Sequence, residues 1–292
     1  MSGPCNQPID ASTRYCAVFG YPIKHSASPA MQNAGMAALG LNWRYLACEV
    51  HPDHLREAIA GAKRMGFVGV NLTVPHKLLA MEMVDALDDS AWTWGAVNTI
   101  RFEADAEGNV TARGFNTDAD AVVRALREDL GLDLCGARVV LLGAGGAGRT
   151  AALKLAAEGV GMMFLVNRTR AKAEAIAAEI KKHYPRVVVM TDYPKTEVDL
   201  VLNATSLGLK PDDGLPFDEK LFSLKQAIAA YDMIYRPAET PFLKAAKAAG
   251  LRTANGLGML LYQGAKALEL WSGQPAPVAI MRTALEKNIY GH

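Results

Sequence analysis

An α/β protein of two domains is predicted: an N-terminal α/β substrate domain with a mostly parallel sheet, a Rossmann-type dinucleotide-binding domain, and a cleft between them. The first third of the chain alternates short apolar runs with helical patterns in the order β-α-β-α-β, which suits a parallel sheet with right-handed crossovers. The segment ARVVLLGAGGAGRTAALKLAAEG (137–159) runs from strand to glycine loop to small-residue helix without interruption. A chain of 292 residues, half of them apolar, is long enough for roughly two cores.

YCAVFG (15–20) reads as a buried strand, and PAMQNAGMAALG (29–40) as a helix with proline at its start and glycine at its end. WRYLACEV (43–50) is a second strand and HLREAIAGAKRMG (54–66) an amphipathic helix. FVGVNLTVP (67–75) is a third strand, stopped by Pro75. A helix carrying Trp92 and Trp94, both expected in the core, precedes GAVNTIRFE (95–103), and EADAEGNVTARG continues it as a hairpin. NTDADAVVRALREDLG (116–131) is a helix leading from one domain into the next.

After the glycine loop, GMMFLVNRT (161–169) is a strand, RAKAEAIAAEIKKH (170–183) a helix and RVVVM (186–190) a short strand. DLVLNATSLGL (199–209) and QAIAAYDMIY (226–235) supply two more strand ends with polar loops. GLGMLLYQGAKALELWSG (256–273) is a helix with apolar faces, expected to pack back on the first domain.

Composition excludes several classes of function. The 31 basic and 30 acidic residues leave a net charge of +1, and no basic run exists. Neither nucleic acid nor a membrane surface is therefore an expected partner. No apolar run approaches the roughly 20 residues of a membrane span, and MSGPCNQPIDASTR lacks the parts of a secretory signal. Cys5, Cys16, Cys48 and Cys135 show no C-x-x-C spacing and read as reduced, space-filling thiols. The six histidines form no ligand cluster, so no metal is expected. A cytoplasmic enzyme with a small-molecule substrate, monomeric or homodimeric, fits this profile.

The run Gly143, Ala144, Gly145, Gly146, Ala147, Gly148 places glycines at the first, third and sixth positions of G-x-G-x-x-G, between a strand and a helix. Gly143 suits the tight turn, Gly145 the approach of a pyrophosphate, and Gly148 close helix–strand packing. The helix N-terminus offers unpaired N–H groups to phosphates. At the end of the next strand, where an NAD enzyme usually carries a carboxylate, stand Asn167, Arg168, Thr169 and Arg170, with Lys172 nearby. A guanidinium binds a 2′-phosphate that a carboxylate would repel. NADP is the expected cofactor.

In the first half, Thr73 and Lys77 lie just past a strand's carboxyl end, where ligands bind in such sheets. Asn98 stands inside an apolar run and must find partners. Asp118 stands at a helix start, where capping is the simpler reading. Ser26 and Ser28, in HSASP, either shape a turn and cap the following helix or present hydroxyls to a ligand.

The blocks GYPIKHSASPAMQN, NLTVPHK, GAVNTI, GFNTD, LLGAGGAGR, NRT, LNATSLG, DMIYRP and GLGMLLYQGA occur in the order and spacing of the shikimate dehydrogenase family, which the chain resembles over nearly its whole length. The resemblance implies NADPH-dependent reduction of 3-dehydroshikimate to shikimate. It also implies a discontinuous substrate domain, 1–117 plus 256–292, around a cofactor domain at 118–255. By the same resemblance Lys77 and Asp118 are the catalytic pair, and Ser26 and Ser28 bind the substrate carboxylate. Thr73, Asn98, Asp118 and Gln263 bond ring hydroxyls, with Tyr235 nearby. Asn167, Arg168, Thr169 and Lys172 surround the adenosine phosphate, and Met233 and Gly256 lie along the nicotinamide.

The residue types suit this chemistry independently. A lysine ammonium can stabilise a developing alkoxide and deliver its proton, and a nearby carboxylate keeps that lysine charged. On this reading Ser26 and Ser28 clamp the carboxylate, with helix capping as a second role. Relatives favouring quinate can carry threonine at position 28, and Ser28 is the shikimate-like choice. The chain departs from the family pattern at Asp120, read as a solvated face residue, and at Trp92 and Trp94. Two rival readings are a quinate/shikimate dehydrogenase of broader polyol specificity and a non-catalytic NADP(H)-binding regulator. Retention of both Lys77 and Asp118 speaks against the regulator.

Overall fold

Apolar runs become the inner strands of two sheets, and the polar residues that follow them gather at the strands' carboxyl ends. The computed structural model describes residues 8–210 and 212–291, so the readings placed on Cys5 and on the first seven residues lie outside them. Residues up to Asp118, together with those from Leu260 onward, form one compact unit; Ala119–Met259 form a second.

The first unit opens with β1 (Arg14–Gly20), α1 (Ser28–Ala38), β2 (Trp43–Glu49), α2 (Leu55–Arg64) and β3 (Gly69–Leu72). A one-turn helix, α3 (His76–Leu79), follows, then β4 (Ala86–Leu87), α4 (Asp89–Trp94) and the hairpin β5 (Thr99–Ala104) and β6 (Val110–Phe115). The sheet order is β2-β1-β3-β5-β6-β4, with β1 parallel to β2 and β3 and with β5 antiparallel to both neighbours. Ala17, Phe19, Val70, Leu72 and Ile100 fill one side against Leu55 and Ile59 of α2. β3 is shorter than the expected 67–75, because the Thr73 carbonyl accepts the His76 N–H and turns the chain into α3.

Helix α5 (Asp118–Leu130) leads into the second unit, which contains β7 (Arg138–Leu142), α6 (Gly146–Ala157), β8 (Met162–Val166), α7 (Arg170–His183) and β9 (Val188–Met190). Then come β10 (Val198–Asn203), β11 (Ala227–Asp232), α8 (Pro241–Ala248) and β12 (Arg252–Asn255). Every pairing in this sheet, ordered β12-β11-β10-β7-β8-β9, is parallel. The order reverses between β7 and β10, the switch point at which such sheets bind ligands. Val140, Leu142, Phe164, Val201 and Phe242 belong to its core.

The chain ends in α9 (Leu257–Ser272) and α10 (Val278–Tyr290). From Leu260 onward α9 belongs to the first unit, where the Trp271 indole N–H donates to the Ile100 carbonyl at 3.0 Å. Helix α10 packs along α1. The unit borders differ slightly from the expected ones: Asp118 stays with the first unit and residues 256–259 with the second.

Two side chains, Trp92 and Cys135, depart from expectation. Trp94 is buried, but Trp92 is 74% exposed. Helix α4 is six residues long and buries Ala91 and Trp94, three apart on one face, so Trp92 falls outside that face. Cys16 is buried and Cys48 half-buried, whereas Cys135 is exposed and fills no space. Asp120 is exposed as read, and it pairs with Lys154 at 2.8 Å.

Candidate active site and cofactor loop

In the first unit, the residues singled out from the sequence cluster around the carboxyl ends of β1 and β3 and the adjoining start of β5. Ser26 lies in the loop after β1, with its Oγ accepting the Ser28 N–H at 3.4 Å. Ser28 is not the cap of α1. It is the first helical residue, with Ala27 at the cap position, so its hydroxyl already stands on the first turn. Among the described residues neither the Ser28 hydroxyl nor that of Thr73 is committed to a hydrogen bond. Thr73 continues the line of β3, its N–H donating to the Phe19 carbonyl.

Lys77 rises from α3, held in place by its own carbonyl, which accepts the Val97 N–H at 2.9 Å. Its Nζ lies 2.6 Å from Asp118 Oδ2, with the side chains 32% and 12% exposed. Capping therefore does not consume Asp118. Asn116 Oδ1 takes the Asp118 N–H at 3.1 Å, and the carboxylate is left for Lys77. The pair is half-sheltered, still reachable by a ligand, and hydrogen-bonded through an ionised acceptor.

Asn98 finds its partners within the chain. Its Nδ2 donates to Thr117 Oγ1 at 2.9 Å and its Oδ1 accepts the Thr117 N–H at 2.8 Å. The network continues inward: Tyr45 Oη donates to Asn71 Oδ1 at 2.7 Å, and Asn71 Nδ2 donates to Thr99 Oγ1 at 2.9 Å. Thr99 in turn donates to Asn98 Oδ1 at 3.3 Å. Gln263, on α9, donates to its own helix at the Leu260 carbonyl. Tyr235 belongs to the second unit, half-buried, and burial pushes its phenol above the usual value.

In the second unit a cavity of about 780 Å³ is lined by residues 143–145, by the turn 167–169 with Lys172, and by the loop 204–207. Gly143 has φ +105°, which disfavours any side chain. A Cβ at Gly148 would collide with the Gly143 carbonyl, so helix α6 can approach its strand only with glycine there. At Gly145 and Gly146 a Cβ would meet nothing. That open space lies at the start of α6, where Gly146 and Ala147 present the first N–H groups of the helix. Asn167 ties loop to turn, accepting the Ala144 N–H at 3.0 Å and donating to the Thr169 carbonyl at 2.8 Å.

Arg170 is spent on Glu174 and Asp192, but Arg168 and Lys172 form no ion pair among the described residues. Two uncommitted cations beside a helix N-terminus and a glycine loop fit the phosphates of NADP. Met233 and Gly256 adjoin each other past the ends of β11 and β12, where a Cβ at Gly256 would strike the Met233 carbonyl.

Sequence reasoning missed the buried polar residues that support these groups. Asn71, Thr99 and Thr117 are nearly inaccessible, as are Asn203 and Asp232 at the ends of β10 and β11. Burial pushes the Asp232 carboxyl up to about 6, against the hydrogen bonds from Thr240, the Ile234 N–H and Asn203. The available signal was a polar residue closing an apolar strand, as in AIAAYD and LVLN.

The chain was compared with known proteins. The profile of the shikimate dehydrogenase substrate binding domain matches residues 18–100, that of shikimate / quinate 5-dehydrogenase residues 125–208, and that of the shikimate 5′-dehydrogenase C-terminal domain residues 256–286. A shikimate dehydrogenase (NADP(+)) of Desulforamulus reducens is 41% identical over 290 residues, covering 96% of this chain and 97% of its own. A crystal structure of a shikimate dehydrogenase in complex with NADP+ superposes with TM-score 0.86 at 37% identity, covering 98% of this chain and 99% of its own. The ligand-free 5-ketofructose reductase of a Gluconobacter strain gives TM-score 0.83 at 35% identity, covering 95% and 99%. Three profiles in family order and a relative 41% identical over 96% of the chain show the family: the chain belongs to the shikimate dehydrogenase family.

Proposed function

We propose that the chain is an NADP-dependent shikimate dehydrogenase that reversibly reduces 3-dehydroshikimate to shikimate, a step of aromatic amino-acid biosynthesis. The observation that carries this reading is the 2.6 Å contact between Lys77 and Asp118, half-sheltered yet reachable. Bound NADPH supplies the hydride that adds to the ketone carbon. The Lys77 ammonium stabilises the charge growing on the oxygen and donates its proton there, leaving an alcohol and a neutral amine that solvent reprotonates. Asp118 orients Lys77 and keeps it charged before the transfer.

The remaining polar residues recognise a ring bearing one carboxylate and several hydroxyls. Ser26 and Ser28 stand at the N-terminus of α1, where hydroxyls and helix dipole together favour a carboxylate. Thr73, Asn98, Asp118 and Gln263 bond the ring hydroxyls, and Tyr235 contributes from the second unit. In the cofactor site residues 143–147 receive the pyrophosphate, and Asn167, Arg168, Thr169 and Lys172 receive the adenosine phosphate. Met233 and Gly256 lie along the nicotinamide. A charge-balanced chain with no described helix long and apolar enough to cross a membrane fits a cytoplasmic enzyme.

The likeness to a 5-ketofructose reductase makes other polyhydroxylated ketones the specific alternative. Steady-state assays of shikimate and quinate, each with NADP⁺ and NAD⁺, and of 5-ketofructose with NADPH separate the readings. The expected result is highest kcat/KM for shikimate with NADP⁺. Turnover confined to quinate with NAD⁺, or to 5-ketofructose, would overturn it.

A further inference from the structure

Asp232 has no part in hydride transfer, yet its carboxylate is fully buried and forms no ion pair among the described residues. Three neutral donors hold it: Asn203 Nδ2 at 3.0 Å and the Ile234 N–H at 3.0 Å on Oδ1, and the Thr240 hydroxyl at 2.6 Å on Oδ2. A buried anion without a cation is costly, so its retention calls for a reason.

Asn203 and Asp232 are register partners at the ends of β10 and β11. An amide side chain can face either way, but a carboxylate only accepts hydrogen bonds. Asn203 must therefore turn Nδ2 toward Asp232 and Oδ1 toward the following loop. There Oδ1 accepts the Thr205 N–H at 3.0 Å and the Thr205 hydroxyl at 2.8 Å. Asn203 Nδ2 also reaches the Leu207 carbonyl at 3.2 Å, and Thr205 Oγ1 accepts the Leu207 N–H at 3.1 Å. These bonds fold residues 204–207, which form one wall of the cavity that Gly143 and Arg168 also line. The turn at Met233 is held by the Ile234 N–H on Asp232 Oδ1 and by a main-chain bond from the Met233 N–H to the Asn203 carbonyl at 2.9 Å.

We propose that Asp232 is a positioning residue for the dinucleotide: its Oδ1 sets the direction of the Asn203 amide, which shapes the 204–207 wall, and accepts the Ile234 N–H, which holds the Met233 turn. This rests on the reading that the cavity takes NADP. Oδ1 is the atom that matters, because Oδ2 serves only Thr240. Asp232→Asn can keep an oxygen at Oδ1 and turn its NH2 to the Thr240 hydroxyl, which is able to accept. Asp232→Leu removes the acceptor altogether, and Asn203→Ala cuts the same connection from its other end.

The test measures NADPH dissociation by nucleotide fluorescence, together with KM for NADPH and for shikimate, in the full-length chain. Asp232→Leu and Asn203→Ala should each weaken NADPH about tenfold, the scale of one lost buried hydrogen bond, with shikimate KM unchanged. Asp232→Asn should restore NADPH binding to near the native value. Equal loss in Asp232→Asn and Asp232→Leu overturns the proposal, as does a parallel rise in both KM values. If Asp232→Leu does not fold, Asn203→Ala with Asp232→Asn decides. Arg168→Ala run alongside separates the two readings. Unchanged NADPH binding there fails the cofactor site itself, whereas weakened binding there with Asn203→Ala unaffected fails only the positioning role.

Discussion

Asp118 Oδ2 meets Lys77 Nζ, forty-one residues earlier in the chain, at 2.6 Å, while Asn116 Oδ1 accepts the Asp118 N–H at 3.1 Å. Asp118 is the first residue of α5 rather than its cap, and its carboxylate serves an ammonium. The pair sits on two short, well-tethered pieces, α3 and the first turn of α5, so its geometry is set before any ligand binds.

Replacing Lys77 by alanine should lower kcat by about two to four orders of magnitude, the range of a lost positioned acid. Shikimate should still bind, because Ser26, Ser28 and Thr73 are untouched. Steady-state rates with an equilibrium measurement of shikimate binding check this. A near-native kcat with bound substrate would remove Lys77 from the chemistry.

Asn98 is 1% exposed and satisfies both the N–H and the hydroxyl of Thr117. Asn98→Ala strands these two groups in the interior and should cost roughly 2–6 kcal/mol, at about 1–3 kcal/mol for each buried group left unpaired. Urea unfolding of the variant measures the loss. A change below about 0.5 kcal/mol would mean that water replaces the amide.

Arg168→Ala should raise the KM for NADPH about tenfold to a hundredfold, matching roughly 1.5–3 kcal/mol for a hydrogen bond to a charged group. The KM for NADH should hardly move, so the preference between the two cofactors shrinks by the same factor. Equal losses with both would place Arg168 on the adenine or pyrophosphate instead.

Stability should carry a signature of Asp232, whose folded carboxyl titrates at about 6 against the ordinary 3.8. With the folded value above the unfolded one, the folded chain holds its proton longer. The contribution is most favourable below the unfolded value and is lost as pH rises from about 4 to 6, by roughly 3 kcal/mol. Asp232→Asn lacks this titration. Its stability relative to the native chain should climb across that window and then level off, as urea unfolding at successive pH values would show. A difference independent of pH would refute it.

Legibility in the sequence followed the reach of the contacts. Helix α7 was read with the bounds it has, since its pattern is local and its termini are marked by Thr169 and His183. The glycine loop was legible for the same reason. Strand β12, RTAN, has four residues and no apolar run to announce it, and α8 has only eight residues. The buried amides were visible as oddities, but their partners were not. Asp232 meets residues 203, 234 and 240, a grouping that only the folded sheet creates. Ser28 failed as a cap for a subtler reason: the helix starts one residue earlier than Pro29 suggests.

The bond from Trp271 to the Ile100 carbonyl joins the last stretch of the chain to a sheet whose strands all lie before residue 116. During synthesis every strand of the second sheet leaves the ribosome before that indole does. The second unit can therefore assemble while the first still lacks its last helices, and a chain interrupted near residue 260 would keep every strand of the second sheet but leave the first sheet without the Trp271 bond.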